Sequence, residues 1–192
     1  MKHAILLSCA VLALAACRED STAALPAPVT MTEEAVGHFC QMEMLEHPGP
    51  KAQVFLDGLP YPLFFSQVRD AIAYDRMPEQ SHMIAAIYVS DMGWSGASWD
   101  NPGADNWILA GAAYYVVGSD MVGGMETPEL VPFATHEGAQ AFIARHGGEA
   151  LQLDGITDDM VLAPVEFESD IGIDDDGDFE DRLRALSRGQ EG

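Results

Sequence analysis

The stretch "AQVFLDGLPYPLFFSQVRDAIAYDRMPEQSHMIAAIYV", Ala52 to Val89, decides the fold of this 192-residue chain. Its runs "AQVFL" and "YPLFF" are short and apolar, are separated by Gly58 and Pro60, and read as strands. "SQVRDAIAYDRM" reads as a helix: Ser66 is the expected N-cap, Val68, Ala71 and Ile72 make an apolar helical face, and Pro78 follows the end. "MIAAIYV" then returns to strand. A second segment repeats the order, with "AAYYVVGS" and "ELVPFA" as strands, "THEGAQAFIARHGG" as a helix and "EALQLDG" as a strand. There Thr135 caps, Ala139, Phe142 and Ile143 face the core, and Gly147 takes the left-handed C-terminal position. The repetition is one of element order, not of residue identity.

The expected architecture is therefore α+β, a tandem pair of small ββαβ units, the first over 31–100 and the second over 101–165. Between them lies "SDMGWSGASWDNPGADNWILA", rich in Gly, Asp and Trp, a linker or a loop that closes over a site. Trp94, Trp99 and Trp107 are expected to be packing anchors.

Outward from this body, Lys2 and His3 precede "AILLSCAVLALAAC", an apolar run too short for a membrane span and ending in small residues. That is an export signal over 1–16. Leu14, Ala15, Ala16 and Cys17 fit a lipobox, so Cys17 becomes the lipidated N-terminus and 17–30 a lipid anchor with a flexible tether. At the other end, 166–192 is an acidic tail, carrying much of the net charge of −22. Such a run is expected to be solvated and disordered. It is no calcium loop: with Asp174 and Asp176 at positions three and five, Leu183 falls where the bidentate Glu belongs. The acidic balance also excludes nucleic acid as a partner.

With Cys9 leaving in the signal and Cys17 lipidated, Cys40 is the sole free thiol of the mature chain. It stands in "GHFCQMEMLEHPGPK", Gly37 to Lys51, among His38, Met42, Met44, Glu46 and His47. In an oxidising compartment an unpaired thiol is buried, metal-bound or reactive. Thiolate with thioether selects soft cations, Cu(I) first, and the paired Cys/His spacing of structural zinc is missing. If the segment is extended, Cys40, Met42 and Met44 share a face; if helical, Cys40, Met44 and His47 do. Pro48, Gly49 and Pro50 stop any helix after His47. Farther on, "MVGGMETPEL" offers Met121 or Met125, with Gly123 and Gly124 allowing close approach. A methionine taken singly is more often packing than ligand, and it is the clustering around one thiol that points to metal. Taken individually, His38, His82, His136 and His146 are unremarkable.

Two other readings use the same residues differently. Cys40, His47 and Glu46 would be nucleophile, base and orienter of a cysteine-dependent lyase or thiol oxidoreductase. A lipid-anchored assembly scaffold would need no thiol at all.

The lipobox Cys17, "FCQMEMLEHPGPKAQV", "LFFSQVRDAIAY", "IYVSDMG", "WILAGAAYYVVGSDMVGGM" and "HGG" together closely resemble the NosL family, copper-binding lipoproteins of the nitrous oxide reductase gene cluster in denitrifying bacteria. The resemblance covers about Gly37 to Val165. It implies a Cu(I) metallochaperone in the periplasm, with one copper per chain and no enzymatic activity. Its implied role is delivery of copper for nitrous oxide reductase maturation, together with the cluster's ABC transporter and its periplasmic subunit. The implied fold is a tandem ββαβ pair like the N-terminal domain of organomercurial lyase, whose own chemistry uses two cysteines where this chain has only Cys40. Carried onto this sequence, the thiolate is Cys40, the thioether Met42 and the favoured imidazole His47. Met44 and Met125 are competing donors, and Glu46 orients His47 without ligating a soft ion. Glu126 departs from the family pattern, standing where glycine is expected. Arg18 after the lipidated cysteine favours the outer membrane.

Overall fold

The computed structural model describes residues 24–78 and 80–163. The signal 1–16, the lipid anchor Cys17 and the acidic tail 166–192 lie outside the described residues. The first half runs β1 (Ala52–Leu56), β2 (Leu63–Phe65), α1 (Val68–Arg76), β3 (Ile84–Ser90) and β4 (Trp107–Leu109), forming an antiparallel sheet in the order β2-β1-β3-β4. The second half runs β5 (Tyr114–Val117), β6 (Val131–Phe133), α2 (His136–His146) and β7 (Glu149–Gln152), in the order β6-β5-β7, followed by a short α3 (Asp158–Leu162). In each sheet the first strand of its half is central. Ala52 of β1 faces Phe65 on one side and Val89 on the other, and all five β1 residues are buried.

One hydrophobic core draws on both halves. Val54, Phe65, Val68, Ile72 and Val89 come from the first; Ala113, Tyr115, Leu130, Ile156 and Val161 come from the second. Burying each of the larger aliphatic side chains stabilises the fold by about 2 kcal/mol, so neither half keeps its full core alone. The Tyr115 hydroxyl is satisfied inside that core by donating to Ala110 O at 2.8 Å.

The structure departs from the sequence expectations in four places. Trp107–Leu109, counted in the inter-unit stretch and in the 101–165 segment, pairs with β3, Ser90 opposite Trp107 and Tyr88 opposite Leu109. Three residues among glycines and prolines show no periodicity, yet an unpaired β3 edge accepts them. Ser66 does not cap α1: the N-cap position is Gln67, without a side-chain cap, and the carboxylate of Glu129 instead accepts from the N–H groups of Val68 (3.3 Å) and Arg69 (3.0 Å). The described end of the expected tether is docked, because Gln53 bonds both backbone groups of Val29 (2.9 and 3.1 Å) and the Tyr88 hydroxyl donates to Pro26 O at 2.7 Å. Finally, the tryptophans do not act alike: Trp99 and Trp107 pack into clusters, whereas Trp94 is 51% exposed. In the second half Thr135 does cap α2, accepting from Gly138 N at 3.1 Å, and Gly147 closes it at φ +69°. Among the described residues no helix is long and apolar enough to cross a membrane.

Candidate metal centre

Cys40 sits on a tight finger and belongs to neither a strand nor a helix. Val36 and Glu43 form an isolated antiparallel bridge, Gly37 N donates to Met42 O at 2.9 Å and Gln41 N to Gly37 O at 2.9 Å. Closing so short a loop puts Gln41 at φ +56°, and its side chain offsets that strain by donating to His38 O at 2.7 Å. The finger is seated on β2 by His38 N to Phe64 O at 2.7 Å. Its aromatic tip packs edge-on, Phe39 against Phe65 at 5.1 Å and against Tyr74 at 6.2 Å between ring centroids.

This geometry sorts the sulfur donors. The finger turns between Cys40 and Met42, leaving Met42 42% exposed and Met44 fully buried. Cys40, Met42 and Met44 therefore do not share a face, and the only helical turn nearby is Met44–Glu46. A Cβ at Gly37 would collide with Cys40 Sγ and stand 3.5 Å from Met44 Sδ. Both sulfurs thus approach the one spot that the missing side chain leaves open.

From the second half, Met125 lines the same cavity as Cys40. A cavity of about 370 Å3 is lined by Phe39, Cys40, Gln67, Met77, Met125 and Thr127, among others. The loop that carries Met125 is tied to the start of α1: Gln67 Nε2 donates to Thr127 Oγ1 at 2.7 Å, and Gly123 N donates to Thr127 O at 2.8 Å. Glu126 in that loop has φ +59°, in the left-handed region where glycine is the unstrained choice. Met77, at the C-terminal cap of α1, lines the cavity too. Nothing in the sequence distinguished it from a packing methionine.

His47 lies elsewhere. With Met31, Met44, Lys51 and Trp94 it lines a second cavity of about 500 Å3, which Cys40 does not line. The loop bearing Met125 separates the two regions closely, since a Cβ at Gly124 would lie 2.9 Å from His47 Cβ and 3.1 Å from Pro48 O. Glu46 is exposed. A nucleophile–base–orienter set of Cys40, His47 and Glu46 would require three side chains that the structure does not bring into one cavity.

Two buried ionisable side chains that the sequence did not flag, Lys51 and Glu129, are found beside the site. Lys51 is 1% exposed and Glu129 2%. Burial pushes the Lys51 ammonium down to about 8, against the pull of Glu129 and Cys40. Burial likewise pushes the Glu129 carboxyl up to about 8, outweighing the backbone N–H groups of Arg69 and Leu130 and the Lys51 charge. A lysine following "PGP" and a glutamate before "LVPF" look like ordinary surface residues, and only their burial shows otherwise.

Among the described residues no three His, Cys, Asp or Glu side chains converge, which leaves methionine sulfur to complete a donor set around Cys40. A half-buried thiol and thioethers from both halves of a small α+β body line one cavity, and thiolate with thioether is the donor chemistry that soft cations select. A family model described as NosL matches residues 28–161. The chain is 56% identical over 182 residues to the Copper-binding lipoprotein NosL of Achromobacter cycloclastes, covering 95% of this chain and 93% of that one. It is 34% identical over 130 residues to the Copper-binding lipoprotein NosL of Stutzerimonas stutzeri, covering 67% and 65%. The crystal structure of the copper chaperone NosL from Shewanella denitrificans matches at TM-score 0.62 and 31% identity, over 69% of this chain and 96% of that one. The chain belongs to the NosL family.

Proposed function

We propose that the chain is a Cu(I) metallochaperone lipoprotein, not an enzyme, carrying one copper per chain. The observation that carries this is the meeting of Cys40 from the finger with Met125 from the second half in one cavity, with Met44 Sδ beside the Gly37 spot that Cys40 Sγ fills. Relatives named as copper-binding lipoproteins and as a copper chaperone support it. Cys40 supplies the thiolate and Met125 a thioether inside the cavity, while Met42, exposed on the finger, is the thioether a recipient meets first. His47 is the imidazole of the family pattern; it lines the adjoining cavity with Met44, whose sulfur stands beside the Gly37 spot that Cys40 Sγ fills. A set open on one side suits delivery, because incoming ligands can displace these donors one at a time.

The recipient in this reading is the maturation machinery of nitrous oxide reductase, the ABC transporter with its periplasmic subunit. The chain is anchored by lipid at Cys17 and faces the periplasm, and Arg18 favours the outer membrane. The acidic balance of the chain complements a basic partner surface, giving an association rate that falls with salt. The recurrence of strand-strand-helix-strand with the same central strand supports a tandem ββαβ pair akin to the organomercurial lyase N-terminal domain.

The test is an anaerobic competition of the full chain in detergent against a chromogenic Cu(I) chelator, wild type beside Cys40→Ala. Wild type should strip one copper per chain and the variant should fail to compete. Equal competition by the two would sink the proposal.

A further inference from the structure

Lys51 is an expensive choice for its position. It directly precedes β1, whose five residues are all buried, and an apolar side chain would avoid the several kcal/mol that desolvating an ammonium costs. Among the described residues no carboxylate forms an ion pair with it. Its ammonium instead donates to two backbone carbonyls, Pro48 O at 2.9 Å and Gly49 O at 2.6 Å. Neither carbonyl receives a backbone N–H among the described residues, so Lys51 is their one protein donor there. Its own backbone is fixed by exchange with Ser90, through Ser90 Oγ at 3.0 Å and Ser90 N at 2.9 Å.

What those two carbonyls hold matters for the metal centre. The Pro48–Gly49 turn is the surface on which the Met125 loop rests. Gly124 approaches Pro48 O and His47 Cβ so closely that a Cβ would not fit without shifts, and a Cβ at Gly49 would lie 3.7 Å from Gly123 Cα. Met125 follows directly and lines the Cys40 cavity.

We propose that Lys51 is the positioning residue of the metal centre: by clamping the Pro48 and Gly49 carbonyls from beneath, it fixes the turn that sets the Met125 loop against Cys40. This rests on the copper-binding reading above and deepens it. Lys51 touches no metal and acts only through the turn.

The test is a double-mutant cycle in Cu(I) affinity, run on the full chain in detergent with the chelator as competitor, using wild type, Lys51→Met, Met125→Leu and the double variant. Loss of a residue that orients a ligand weakens metal binding by about 10-fold or more, and that is the expected effect of Lys51→Met when Met125 is present. In the Met125→Leu background the same change should cost less than about 2-fold, because the loop then has no donor to position. Equal losses in both backgrounds would mean that Lys51 does not act through Met125, and would overturn the proposal while leaving the copper reading intact. Failure of wild type to bind copper would instead sink the copper reading itself. If Lys51→Met does not fold, Lys51→Gln, which keeps a shorter donor, should show the same dependence on Met125, and additivity there would be equally fatal.

Discussion

The helices α1 and α2 occupy the same place in their two halves, each following a pair of strands and preceding a third, yet their first turns are held by different means. Thr135 caps α2 from within its own segment, three residues from the N–H it accepts. The first turn of α1 is held by Glu129, 60 and 61 residues away, which also accepts from Leu130 N at 2.8 Å. A local cap makes a helix self-sufficient. A distant one makes the helix a clasp, and this clasp lies beside the Gln67–Thr127 bond that ties down the loop bearing Met125. The first half, which carries Cys40, is therefore completed by the second, whose Met125 lines the same cavity.

Breaking the clasp should have the largest effect. Glu129→Ala leaves the N–H groups of Val68, Arg69 and Leu130 without their acceptor in a buried site, and should cost roughly 3 kcal/mol in urea denaturation. The clasp also has a pH signature. The Glu129 carboxyl stands at about 8 in the folded chain against 4.5 as a free group, so the folded state holds a proton that the unfolded state has lost between those values. Its contribution is complete below pH 4.5 and declines as pH rises toward 8, by at most about 1.4 kcal/mol per unit. Glu129→Gln should flatten that slope, and an unchanged slope would place the titrating group elsewhere.

The local cap should matter less. Thr135→Ala is expected to cost about 1 kcal/mol, and Ser66→Ala, at a buried position that caps no helix, less than that. A larger loss at Ser66 than at Thr135 would reverse the contrast between the two helices.

The same contrast explains what could be read from the chain. Thr135, Gly147 and the apolar faces of both helices act within one turn of their own sequence, so periodicity and capping rules found them. Glu129 and Lys51 acquire their meaning from neighbours brought in by folding, and a charged residue in a sequence looks the same whether it ends buried or exposed. β4 was hidden because its partner, the edge of β3, is what makes "WIL" a strand. At the site, Cys40 stood out in the sequence by the methionines and histidines around it. The separation of Met42 from Met44 did not, because it depends on Gln41 adopting φ +56° in a finger closed by Gly37. Met125 was one of several possible sulfurs, and only folding puts it in the cavity that Cys40 lines; Met77, which lines it too, had no local signal at all.

The most direct measurement is copper-edge X-ray absorption on the Cu(I)-loaded full chain, comparing wild type with Met125→Leu. If the two halves share one copper, the variant should lose one sulfur from the copper shell while the short thiolate bond to Cys40 persists. An unchanged sulfur count would contradict the bridge, and would leave Cys40 to bind copper with donors from its own half.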